Sequence, residues 1–171
     1  MKSISIKLTK TRILFIILTI VCMTAIFFFS SQDATRSSNT SGKVIRLILR
    51  IFMNDFSELS ASAQKVLVHK AQFIVRKLAH FSIYTTFGFM LSMALGRRRF
   101  LTRQTLLALI AGAVYAASDE LHQALVPGRS CELRDVMIDT SGVLTGIVIS
   151  MIIFFIFRIH KKRKGSDQAH S

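Results

Sequence analysis

Ionisable residues gather in one stretch, Tyr115 to Asp139, YAASDELHQALVPGRSCELRDVMID. It holds five of the nine acidic residues: Asp119, Glu120, Glu132, Asp135 and Asp139. His122, Arg129, Arg134 and the single proline, Pro127, lie there too. Carboxylates, an imidazole and guanidinium groups are the parts from which anion clamps and proton-transfer sites are made. Apolar segments flank the stretch on both sides. Charge beside so much hydrocarbon-like sequence reads as the outer rim of an intramembrane polar site, because unpaired charge is expensive in lipid.

Helical spacing extends the set to three segments. Residues three and four apart share a helix face. Lys77, His80, Tyr84 and Gly88 form one such stripe. Ala108, Gly112, Tyr115, Asp119 and His122 form a second, and Asp135, Asp139, Gly142 and Gly146 a third. Each stripe is polar at one end and small at mid-depth. Small residues allow close helix approach, and Gly142-x-x-x-Gly146 is a packing pattern, so the polar ends should face one cavity. Lys77, Arg129 and Arg134 then suit an anion clamp, and His80 or His122 a base or nucleophile. Asp119 can orient an imidazole, and Glu120, projecting about 100° around the helix from it, is a further catalytic candidate in a different role. Tyr84 and Gln123 are hydrogen-bond donors. Asp135 and Asp139 could hold a divalent metal ion or pair with the basic residues; the residues leave both open.

The elements that must position these groups follow from composition. The chain has 171 residues, 51% of them hydrophobic, yet a net charge of +14. One helical membrane protein with basic loops combines the two. The basic residues fill gaps between apolar runs and form no separate basic domain, which argues against nucleic acid as a partner. Cys22 in an apolar run and Cys131 in a polar loop are not expected to pair.

The expected fold is all-α and polytopic, with four transmembrane helices. A basic N-terminus (1–12) leads into the first span, 13–31, whose phenylalanine exit argues against a cleaved signal. A first outer loop, 32–75, begins as a polar loop. It continues with amphipathic helices, of which KVIRLILRIFM carries a cationic stripe at Lys43, Arg46 and Arg50. The second span is 76–95 and the third 104–118, continuing as helix to about Gln123. An outer loop, 119–135, turns at Pro127–Gly128. The fourth span is 136–157, followed by a basic tail, 158–171, expected to be disordered. Thirteen basic residues lie in the termini and the 97–103 turn, against ten on the other side. That places both termini in the cytoplasm and the polar ends outside.

Three motifs resemble the VanZ family: Lys77-Leu78-Ala79-His80-Phe81-x-x-Tyr84, Ser118-Asp119-Glu120-x-His122-Gln123-x-x-x-Pro127-Gly128-Arg129, and Asp135-Val136-x-x-Asp139-x-x-Gly142-x-x-x-Gly146. Ser30-Ser31-Gln32 fits as well, and the likeness spans about residues 12–157. The resemblance implies a multi-pass protein of the bacterial cell membrane, associated with resistance to teicoplanin. It also groups the chain with membrane enzymes that exchange or remove lipid head groups. The implied partner is a membrane lipid or lipid-linked envelope molecule, and the implied activity a phosphoesterase or transferase. A non-catalytic site that binds lipid or lipoglycopeptide is the alternative.

Overall fold

The computed structural model describes residues 9–32, 34–96, 102–129 and 131–167, with only the backbone course for 34–40 and 161–167. Those residues form five α-helices and no strand: α1 (Lys10–Ser30), α2 (Ala34–Phe52), α3 (Ala61–Leu95), α4 (Arg103–Gln123) and α5 (Leu133–Asp167). A short 3₁₀ turn, Asn54–Ser57, joins α2 to α3. The arginine turn at 97–99 lies outside the described residues.

Local signals start and stop the helices. The side chains of Thr9, Ser60 and Thr102 each accept a backbone N–H three residues on, satisfying an orphan donor of the first turn. Gly96 ends α3 with φ +75°, a conformation glycine takes without penalty, and donates back to Ser92.

Among the described residues, three helices are long and apolar enough to cross a membrane: Lys10–Ser30, Ala61–Leu95 and Leu133–His160. Their outward faces carry Ile20 (57% exposed), Phe28 (64%) and Phe155 (64%). A water-soluble surface rarely presents such continuous apolar area. The fourth expected span corresponds to α4, which at 21 residues is as long as α1 but less apolar than the three.

Packing centres on α3 and α5. A methyl group added at Gly88 would stand 2.3 Å from the Val143 carbonyl oxygen, and one at Gly146 only 2.0 Å from that of Thr85. The two backbones touch there, as the small-residue stripes require. Tyr84, Phe87, Ala108, Ala116, Val143 and Ile147 fill the core around the contact. A smaller cluster of Ile45, Phe56 and Val68 fixes α2 and the 3₁₀ turn against the first half of α3.

Three boundaries differ from expectation. Residues 34–42, read as part of a polar loop, already belong to α2; once its apolar stripe is docked, propagation backwards costs little. No break separates the amphipathic 61–75 segment from the span at 76–95, since α3 is continuous. Arg76 and Lys77 mark a change in environment, and neither is a helix breaker. The tail expected to be disordered continues α5 to Asp167, and 168–171 lie outside the described residues.

Candidate functional site

The polar ends of α3, α4 and α5 meet at one end of the bundle. Arg12, at the start of α1, donates to the Leu95 carbonyl at the end of α3. Phe29, at the end of α1, accepts from Arg129 in the loop after α4. Lys77 pairs with Asp135 at the start of α5. The helices α1, α3, α4 and α5 therefore alternate in direction along the bundle, and the polar ends lie where α1 and α4 finish and α5 begins.

Asp119 is the hub. Its Oδ2 accepts from the Tyr84 hydroxyl at 3.0 Å and from Gln123 Nε2 at 3.1 Å. Gln123 lies one turn after Asp119 on the same face of α4. Its Oε1 accepts from Arg129 Nη1 at 3.0 Å, while Arg129 Nη2 donates to the Phe29 carbonyl at 3.3 Å. A chain of hydrogen bonds thus joins α3, α4, the following loop and the exit of α1. Partial burial, and then the nearness of Arg76, lower the pKa of Arg129 from the usual guanidinium value. An anion between the two would relieve that repulsion.

Asp139, fully buried on α5, stands beside this chain. His80 Nδ1 lies 3.5 Å from its Oδ1, within ion-pair reach, yet neither carboxylate oxygen accepts an aligned hydrogen bond among the described residues. One donor atom from each of His80, Asp119 and Asp139 fits within 4.8 Å of the others. These three could hold a metal ion.

A cavity of about 370 Å³ opens beside them. His80, Tyr84, Arg76 and Arg129 line it, and Ile26 and Ile83 supply apolar wall. Such an arrangement can hold an anionic group against the guanidinium side with hydrocarbon beside it, and presents an imidazole to that group.

The remaining expected residues are arranged otherwise. Asp135 is occupied by Lys77, whose ammonium also lies 5.1 Å from the centre of the Phe73 ring. Arg134 is at the surface, on Glu132 at 2.9 Å and over Phe73. Glu120 is fully buried, and its Oε2 accepts the backbone N–H of Glu132 at 3.2 Å, tying α4 to the start of α5. His122 faces α1, with Nε2 3.1 Å from the Ser31 hydroxyl and its ring stacked on Phe27. A three-residue step leaves His122 about 60° around α4 from Asp119, and α1 lies on that side. Arg76, Ser30 and the wall given by α2 (Ser41) were not anticipated. The i−4 step from His80 to Arg76 was the available signal.

No curated protein and no solved structure matches the chain. A family model does, that of VanZ/LLP1, over residues 15–156. That match takes in every residue of the cavity just described, and the chain belongs to the VanZ/LLP1 family.

Proposed function

We propose that this chain acts at the outer face of the cell membrane on a phosphate-bearing lipid or envelope head group, as a phosphoesterase or transferase. A change in that head group would be the link to teicoplanin-type resistance. The observation that carries the reading is His80, within ion-pair reach of buried Asp139, on a cavity wall shared with Arg76 and Arg129. The guanidinium groups hold the phosphate oxygens and offset the charge that develops on them in phosphoryl transfer. The Nδ1 of His80 faces Asp139, which leaves Nε2 to exchange a proton with the reacting oxygen. The apolar wall accommodates the start of an acyl chain.

In this reading α4 is a fourth span. Leu106, Ile110, Val114 and Leu121 on its outer side are exposed, as a lipid-facing surface requires. Asp119, Glu120 and Gln123 are turned into the bundle. Its 21 residues extend about 31 Å, enough to cross the hydrocarbon.

The test compares membrane lipids in cells carrying wild-type or His80→Ala protein at equal membrane abundance. Catalysis requires that a head-group species gained or lost with the wild type revert in the variant. Identical lipid profiles with and without the wild-type protein would refute it. The apolar wall would then favour the second reading, a site that binds lipid or lipoglycopeptide without chemistry.

A further inference from the structure

Asp139 has an electrostatic problem that its neighbours do not solve. It is completely buried, and both its oxygens lack hydrogen-bond partners among the described residues. Asp119, 4% exposed, is close by and is met by neutral donors, Tyr84 and Gln123. Two of the nearby cations are engaged elsewhere, Lys77 with Asp135 and Arg129 with Gln123 and Phe29, and Arg76 is exposed on the cavity wall. Two buried carboxylates facing one imidazole leave an excess of negative charge, which a low-dielectric interior strongly penalises.

The distances indicate what would supply it. His80 Nδ1 and Asp139 Oδ1 are 3.5 Å apart, too far for a good hydrogen bond. Two ligands bound at about 2.1 Å to one tetrahedral ion stand about 3.4 Å apart. Asp119 brings a third donor atom within 4.8 Å of the other two. Both hydrogen bonds to Asp119 end on Oδ2, which holds the carboxylate in place and spares Oδ1. Outer partners of this kind are how ligating carboxylates are oriented. The site has one nitrogen and two carboxylate donors and no thiolate, a set that suits Mn²⁺ or Zn²⁺ and not a soft ion.

We propose that His80, Asp119 and Asp139 form a binding site for one divalent cation, with its open side toward the cavity. Ion binding itself is independent of the head-group reading; only its role rests on that reading. A phosphate held by Arg76 and Arg129 would complete the coordination shell. With the cation on Nδ1, the proton of the imidazole sits on Nε2, and His80 donates to the phosphate instead of taking a proton from the attacking group.

Full-length protein is purified in detergent, stripped with EDTA, dialysed against Mn²⁺ or Zn²⁺, and its bound metal measured by elemental analysis, with no lipid substrate added. About one ion per chain is expected for wild type and for Glu132→Gln, which removes a surface carboxylate at the same end. Asp139→Asn and His80→Gln should each lose it. Thermal unfolding of monodisperse protein gives a second readout: either ion raises the wild-type Tm and EDTA reverses the rise. His80→Gln abolishes that shift, which decides the matter should Asp139→Asn not fold. Wild type that retains no ion and shows no shift overturns the proposal, as does equal retention by wild type and His80→Gln. An ion retained beside an unchanged lipid profile would sink the head-group reading alone.

Discussion

At the scale of single residues, Tyr84 is the sharpest probe of the hydrogen-bond chain. It is fully buried and its hydroxyl meets Asp119 at 3.0 Å. Tyr84→Phe keeps the ring and leaves that carboxylate one donor short in a dry place. A loss of about 1–3 kcal/mol is expected, read as a lowered Tm of the purified protein; unchanged stability would mean that water replaces the hydroxyl. His122→Ala provides the contrast with His80→Ala. It removes a contact to Ser31 and stacking on Phe27, so the lipid change attributed to the protein should survive it, with a stability cost of about 0.5–1.5 kcal/mol. Abolished activity in folded His122→Ala would move the site toward α1. Helical spacing revealed much of this: His80, Tyr84, Asp119 and Asp139 follow from three- and four-residue steps. It misplaced His122, because a three-residue step leaves about 60° of rotation and a different helix lay within that angle. It left open whether Asp135 pairs with a basic residue, and the pairing with Lys77 depends on how far α3 and α5 slide along each other.

At the scale of elements, the α3–α5 contact determines whether the polar ends meet at all. Gly146→Ala would place a carbon 2.0 Å from a backbone oxygen, and backbone cannot step aside as a flexible side chain does. The helices must separate, at a cost of the order of 1–3 kcal/mol or more. His80 and Asp139 lie on those two helices, so the variant should lose stability and function together. A Gly146→Ala protein with wild-type Tm would show that the crossing is looser than described. Gly142 and Gly146 could be recognised as packing residues from spacing alone, and the apolar runs located α1, α3 and α5. Helix continuity could not be read so easily. Charge at Arg76 and polarity at 34–42 indicate contact with water, which a helix tolerates as well as a loop does. What keeps α3 whole is the absence of Gly or Pro from Ala61 to Phe87, and what extends α2 is docking of Ile45 against Phe56 and Val68. At about 52 Å, α3 is longer than a bilayer's hydrocarbon, so its first half projects beyond it. It carries Gln72 and Val75 to the cavity mouth.

At the scale of the whole molecule, which leaflet the cavity serves depends on orientation. Alternating helices put Thr9, Gly96 and Thr102 at one end and Ser31, Arg129 and Asp135 at the other. Thirteen basic residues, most close to helix ends, belong to the first end or to the end of α5. That bias favours retention on the cytoplasmic side; in the proposed orientation Arg76, Arg129 and the cavity then face outward. The two cysteines make this measurable without any engineered site. Cys131 is exposed in the loop beside the cavity, and Cys22 is buried in α1. A membrane-impermeant maleimide applied to intact cells should label Cys131 to the extent reached after lysis, and Cys131→Ser should abolish labelling, since Cys22 is shielded by protein and lipid. Labelling that appears only after lysis would invert the orientation. The cavity would then take lipids of the inner leaflet, and any effect on a drug acting outside would have to pass through the supply of envelope precursors. The experiment therefore decides more than topology: it fixes which pool of head groups can reach His80.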